Sequence, residues 1–334
     1  MTSQLKGKDF VSLLDWSKDE LETILDLSFE LKRRLALGEP HPLLAGKTLG
    51  MLFADDSLRH RLSFEAGMTQ LGGHAQFLDP EKLHLVHSKE SWEDTAKVAS
   101  RYLDGLMVRL SRVSPEIKDL TRYGSAHELH KQIAEYATIP VINAYSDVEH
   151  PCQVMANIMT IIEKFGQDYK KKKIVMVWGW SKLRFGPACW NAMAIATAKL
   201  GMTATFSYPE GFSFDQKYIE TSKQLAAKSG AKIEFNGNLK DACKGADVIY
   251  VQPQVAIGKP LEESEKMRAE FKHWQVNEDL FKVAEPNALF MHDMPIRRGE
   301  EVTAEVADGP RSIIYDTAEN SLHLQKAIMA MVMK

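Results

Sequence analysis

The side chains most able to do chemistry gather in four short polar segments. The first is Ser57-Leu58-Arg59-His60-Arg61, which follows an apolar run and opens a helical pattern with Phe64, Met68 and Leu71 on one face. A helix N-terminus offers free backbone N–H groups and the positive end of a dipole, so this turn suits a phosphate. Ser57 can cap the helix and touch the anion, while Arg59 can clamp it through two donors. On this segment alone, an ordinary N-cap followed by surface arginines is the better explanation. The second segment is Arg109, one residue from the end of the run Leu106–Leu110. The third is His150-Pro151-Cys152-Gln153, which opens another helix. There an imidazole can hydrogen-bond a carbonyl and Gln153 can read an amide. The fourth, His292-Asp293-Met294-Pro295 followed by Arg297-Arg298, leaves a strand in the second half. Each has a bland reading as a strand-end charge or an idle first-turn residue. All four at strand ends, where open α/β sheets bind ligands, are harder to assign to chance.

The elements that must position these residues follow from periodicity. Short apolar runs alternate with amphipathic helical patterns, the signature of stacked βα units and a parallel sheet. Strands are expected at 48–53, 75–78, 106–110 and 140–143, then near 174–178, 203–207, 232–235, 247–251 and 289–291. Helices are expected after Ser57, stopped by Gly72-Gly73, around Trp92–Leu103 and around Leu129–Tyr136. A long helix starts at Pro151, a good first-turn residue, and the interdomain crossing is expected there. A final helix carries Leu324, Ile328 and Met331. The fold class is α/β, with two doubly wound parallel-sheet domains.

Bulk properties narrow the function classes. A chain of 334 residues suits two cores, and 44% hydrophobic with 26% charged residues is a globular composition. A net charge of −3 gives no footprint for nucleic acid or an anionic membrane, and Lys170–Lys173 reads as a solvated strand entry. No apolar stretch has the length of a membrane span, and the N-terminus has no signal-peptide core. Cys152, Cys189 and Cys243 form no Cys-x-x-Cys pair, which favours a reducing, cytoplasmic compartment. His84 with His87, and His127 with His130, have a chelating i, i+3 spacing but no third ligand nearby, so surface histidines and no metal are expected. Cys152 is expected to be packed rather than nucleophilic. No Gly-x-Gly-x-x-Gly follows the strand at 174–178, which disfavours a dehydrogenase; no cofactor is expected.

The ordered set of motifs resembles the aspartate and ornithine carbamoyltransferases. Phe53-Ala-Asp-Asp-Ser57-Leu-Arg59-His-Arg61-Leu-Ser-Phe-Glu65 is similar to that family's carbamoyl phosphate signature. His150-Pro-Cys-Gln153, His292-Asp-Met-Pro295 and Ala318-Glu-Asn-Ser-Leu-His323 follow in the family's order, nearly end to end. The resemblance implies a carbamoyl phosphate-binding domain over 1–149, completed by the C-terminal helix 317–334, and an amine acceptor-binding domain over 150–316. It implies carbamoyl transfer to a small amino-acid-like amine in a homotrimer, with Arg59 and His150 catalytic. Ser57, Leu58, Arg59, His60, Arg109, His150, Gln153, Asp293 and Met294 would bind the donor. Asp293, Arg298, Gln252 and Trp178 would bind the acceptor, and Lys89 and Trp92 would belong to a loop reaching a neighbouring subunit. The long stretch Trp178–Asn191 resembles the N-acetylornithine and N-succinylornithine branch, which implies a deep trefoil knot in the second domain, an exception to the usual rule.

Several positions depart from that family's pattern. His60 stands where the signature has a threonine, and a protonated imidazole there would make donor binding pH-sensitive. Asp55 and Asp56 bring negative charge towards a dianion site. Asp293 replaces the cysteine of His-Cys-Leu-Pro, and Ser321 stands where an arginine reaches the donor. Gln252-Pro253-Gln254 stands where ornithine enzymes carry Ser-Met-Gly. An acceptor other than ornithine is therefore expected. The competing expectation is a catalytically silent paralogue serving as a structural or regulatory subunit.

Overall fold

The computed structural model describes residues 5–80, 82–83, 90–111, 121–183 and 185–333. In chain order the first half comprises α1 (Lys18–Ala36), β1 (Thr48–Phe53), α2 (Leu58–Gln70), β2 (His74–Leu78), α3 (Trp92–Tyr102), β3 (Gly105–Arg109), α4 (Ser125–Tyr136), β4 (Val141–Tyr145) and α5 (Pro151–Phe165). The second half comprises β5 (Lys173–Val177), α6 (Ala188–Leu200), β6 (Thr203–Ser207), α7 (Gln216–Ser229), β7 (Lys232–Phe235), α8 (Leu239–Cys243), β8 (Val248–Val251), α9 (Leu261–Ala269), α10 (Glu278–Phe281), β9 (Leu289–Met291), α11 (Ala304–Ala307) and α12 (Ile314–Val332).

Two compact units result. The first holds residues 1–118, 124–159 and 319–334, and the second holds 119–123 and 160–318. The boundary between the units falls inside α5, between Met159 and Thr160. The first unit's sheet has the order β2-β1-β3-β4 and the second unit's β7-β6-β5-β8-β9, and every pairing is parallel.

Strand order decides where ligands can sit. In the first sheet β1 lies between β2 and β3, so successive crossovers leave in opposite directions and open a crevice past the ends of β1 and β3. Phe53 and Arg109 are the paired last residues of those strands. In the second sheet the same reversal falls between β5 and β8, past Val177 and Val251. The inner strands are apolar because helices cover both faces, whereas the edge strands β2 and β7 are partly exposed. In the first unit Leu52, Leu106, Val108 and Val141 pack with Ala96, Leu129 and Ile133 of α3 and α4. In the second, Val175, Val177, Ile249 and Val251 pack with Leu280, Phe281 and Val306.

The core of the first unit includes a buried lysine. Lys326 of α12 is fully buried; its Nζ donates to Gln70 Oε1 at 2.8 Å and lies 3.2 Å from His41 Nε2. Burial pushes its ammonium down from 10.5 to about 8. The folded protein therefore bears the full cost of that charge below about pH 8 and sheds it as the pH rises towards 10.5. Lys326→Met carries no charge to bury. Its melting temperature relative to wild type is expected to fall steadily across that window, as measured by paired thermal melts. A constant difference would contradict the assignment.

Candidate active site

The donor-side residues are brought together by the edge of the first sheet. Ser57 caps α2, its Oγ accepting from His60 N at 3.3 Å, which leaves the first-turn N–H groups facing outward from the strand end. Leu58, the first residue of α2, is 72% exposed. Arg59 and His60 follow in the same turn. Arg109 arrives from β3, where the register with β4 shifts between Val108 and Arg109 and sets Arg109 opposite Tyr145. Its guanidinium lies 4.7 Å from the centre of the Tyr145 ring. That ring packs edge-on against His150, centroids 5.0 Å apart, and His150 in turn stacks on His60 at 4.7 Å. A continuous row of Arg109, Tyr145, His150 and His60 therefore joins the ends of β3 and β4 to the starts of α5 and α2.

The segment before α5 is pinned. Glu149 accepts from Leu13 N at 2.9 Å and from the Ser12 hydroxyl, and Ser146 Oγ accepts from Glu149 N at 3.0 Å. Gln153, 3% exposed, donates through Nε2 to Asn157 Oδ1 at 3.0 Å, which fixes its amide on the same helix. Cys152 packs against the carbonyl of Asn143, and burial pushes its thiol far up, so it is no nucleophile. Asp55, one of the two acids expected to disturb an anion, accepts from Ser111 N just past the end of β3.

The electrostatics differ from the expectation of a charged His60. Burial holds His60 well below the ordinary histidine range, and the charges of Arg109, His150 and Arg59 push it further down. His150 is lowered by burial and then by the same two guanidiniums. Both rings are neutral in the ligand-free site. His60 Nε2 and His150 Nδ1 are buried with no hydrogen-bond partner among the described residues.

At the edge of the second sheet, Asp293 follows β9 and is 7% exposed. Its Oδ2 accepts from the Tyr250 hydroxyl and, at 3.4 Å, from Gln252 Nε2, both from the end of β8. Cys189 at the start of α6 completes this cluster; burial first, and then the Asp293 charge, keeps its thiol protonated. Met294 adopts φ 59° and gives its N–H to His292 Nδ1 at 2.7 Å. His292 Nε2 lies 3.4 Å from the buried carboxylate of Glu301.

Other expected site residues are placed elsewhere. Trp178 is fully buried: its Nε1 donates to Gln254 O at 3.0 Å and its ring lies 4.9 Å from Phe212, so it is a core residue. The Arg298 guanidinium is held by both oxygens of Asp308. Trp92 opens α3 and packs on the first unit's own core, while Lys89 lies outside the described residues, as do His84 and His87. His127 and His130 are buried rather than exposed. They hydrogen-bond Ser146 Oγ at 3.0 Å and Ala126 O at 2.8 Å, bracing α4. No group of three or more His, Cys, Asp or Glu side chains among the described residues could hold a metal. Among the same residues no helix is long and apolar enough to cross a membrane.

Tyr145 and Tyr250 were not foreseen. Tyr145 ends β4 in the segment leading to His150, and Tyr250 stands two residues before Gln252 in β8; a place at the end of a strand that leads into a polar motif is the signal that could have found them.

Known proteins share this arrangement. Residues 8–163 match the family model of the aspartate/ornithine carbamoyltransferase carbamoyl-P binding domain, and residues 170–332 match that of the Asp/Orn binding domain. The chain is 41% identical to the ornithine carbamoyltransferase of Halalkalibacterium halodurans over 97% of its own length and 95% of that protein's. It superposes on the ornithine carbamoyltransferase from Pyrococcus furiosus with a TM-score of 0.87 at 41% identity, covering 98% of each chain. An acetylornithine transcarbamylase complexed with acetylcitrulline matches with a TM-score of 0.88 at 32% identity, over 98% of this chain and 99% of that one. With both domain models matched in order and the paired histidines and arginines at the expected strand ends, the chain belongs to the aspartate/ornithine carbamoyltransferase family and is a carbamoyltransferase.

Proposed function

We propose that the enzyme moves the carbamoyl group of carbamoyl phosphate to the amine of a small amino-acid-like acceptor other than ornithine. The observation that carries the donor half is the row of Ser57, His60, His150 and Arg109 at the switch point of the first sheet. Arg59, Arg109 and the first-turn N–H groups of α2 would hold the phosphate, and His150 with Gln153 would read the carbamoyl carbonyl and amide. As a neutral amine attacks, the carbonyl oxygen gains negative charge, which His150 and Arg59 stabilise. Phosphate then departs without a covalent enzyme intermediate.

The acceptor half rests on the buried carboxylate of Asp293, held by Tyr250 and Gln252. It brings charge to a position where the resembling enzymes have a thiol, and Gln252-Pro253-Gln254 replaces their Ser-Met-Gly. Arg298 could reach an acceptor carboxylate only by leaving Asp308. The same reading makes the enzyme a cytoplasmic homotrimer with a knotted loop within the stretch 178–191. In support, that loop is tied to three separate segments: Trp180 N donates to Trp274 O, Val255 N to Phe185 O and Ser181 Oγ to Glu300 Oε2.

Steady-state assays with ornithine and a series of shorter and acylated amino acids test the acceptor. One of these is expected to exceed ornithine in kcat/KM by about tenfold or more, a difference of ~1.4 kcal/mol. Ornithine as the best substrate would refute this part. Asp293→Asn is expected to raise the KM of the preferred acceptor ~10-fold or more, as for loss of one charge-assisted hydrogen bond, with a smaller change in donor KM.

A further inference from the structure

His60 has an electrostatic setting suited to more than passive contact. Its ring is 3% exposed, stacked on His150 at 4.7 Å and flanked by Phe64 at 6.5 Å. Nδ1 lies 3.1 Å from Ser57 Oγ, the cap of the helix that would receive the phosphate. With the Ser57 hydroxyl donating to Nδ1, the proton of the neutral ring sits on Nε2, the nitrogen with no partner among the described residues. The charged groups acting on the ring are Arg59 from its own helix, Arg109 from β3 and, when protonated, His150 from α5. Tyr145 of β4 adds the edge of a neutral ring to His150. Among the described residues the charges acting on this buried ring are thus all positive, and a second positive imidazole is unfavourable there.

A phosphoryl dianion beside Ser57 reverses that balance. It offsets both guanidiniums and offers oxygen acceptors to the orphaned ring nitrogen, so the charged imidazole becomes the favoured form. Two stacked rings 4.7 Å apart have room for one added charge and not for two. We propose that the His60–His150 pair takes up one proton as a dianionic phosphoryl ligand binds, held chiefly on His60, so that donor binding is coupled to proton uptake. This rests on the carbamoyl phosphate reading of the same site and adds that a proton enters with the ligand. His60 then acts as a proton-coupled positioning residue, where the resembling enzymes use a threonine that cannot titrate.

Calorimetric titration of the full-length protein with carbamoyl phosphate tests this near neutral pH, where the ligand is a dianion. Buffers of differing ionisation enthalpy are used, and the slope of observed heat against that enthalpy counts the protons. Wild type is expected to take up close to one proton per site, so its affinity should weaken about tenfold per unit rise in pH between the free-state and bound-state values of the pair and level off above the latter. His60→Gln keeps a donor near the Nε2 position but cannot titrate; its count should fall to near zero and its affinity should become nearly independent of pH. Saturable binding by wild type with no proton uptake overturns the proposal and leaves the donor site standing. An unchanged count in His60→Gln also overturns it. No saturable binding by wild type sinks the donor-site reading and the proposal together. The wild-type buffer series decides the main point even where the variant does not fold.

Discussion

Arg59→Ala is expected to lower kcat/KM for carbamoyl phosphate by ~10²–10⁴-fold with little change in melting temperature. The size follows from chemistry. A guanidinium that grips a phosphate through two charge-assisted hydrogen bonds loses ~3–6 kcal/mol when truncated, and each ~1.4 kcal/mol is a factor of ten. The small structural effect follows from position. Arg59 is a half-exposed residue in the first turn of α2, and the cap of that helix is made by Ser57, which the substitution leaves intact. Truncation also removes one of the cations that depress His60, so His60 in the variant should titrate at higher pH than in wild type. Steady-state kinetics with a thermal melt of the same sample checks both parts. Activity within tenfold of wild type would remove Arg59 from the donor site, and a collapsed melting temperature would make its role structural.

The second large effect is expected at His150. His150→Ala should reduce kcat by ~10²–10³-fold, the usual loss when one preorganised donor to a developing oxyanion is removed. The donor KM should change less, because in the proposed site the phosphate would be held mainly by Ser57, Arg59 and Arg109. Two features support a role on the reacting carbonyl. The Nδ1 of this buried ring is unpartnered among the described residues, and the loop before it is fixed by Glu149 to Leu13 N. Burial and two guanidiniums keep His150 neutral, so its contribution as a neutral donor should not decline as the pH rises from 6 to 8. A kcat that fell along an ordinary histidine titration in that range would contradict the neutral assignment.

The fold was largely legible in the sequence. The strands at 48–53, 203–207 and 289–291 lie where the apolar runs put them, because parallel strands covered on both faces read as short apolar stretches. What periodicity could not supply was which residues meet. Arg109 reaches Tyr145 because the register slips at Val108, and a one-residue irregularity leaves no local trace. The lowered state of His60 depends first on burial and then on Arg109, brought alongside by the pairing of β1 with β3, so sequence alone suggested a charged ring. His127 and His130 looked like surface residues because their spacing does not reveal that α4 turns them towards Ser146 and Val108. Trp178 follows a strand end, as site residues do, yet an indole that large found its partners in Phe212, Phe271 and Trp274 instead. Arg298 was singled out for its motif, and only the structure shows Asp308 folded back onto it. The motifs thus located the two sheet edges, while charge state and pairing came from contacts distant in sequence.

Transfer itself is the most direct test. The purified enzyme, incubated with carbon-13-labelled carbamoyl phosphate and a panel of small amino acids and their acyl derivatives, is followed by mass spectrometry and by phosphate release. The expected result is one amine that gains a labelled carbamoyl group in step with enzyme-dependent phosphate release, with both signals lost in Arg59→Ala. Phosphate release no faster than in enzyme-free controls, with no labelled product from any amine including ornithine, would contradict the assignment of this chain as a working carbamoyltransferase.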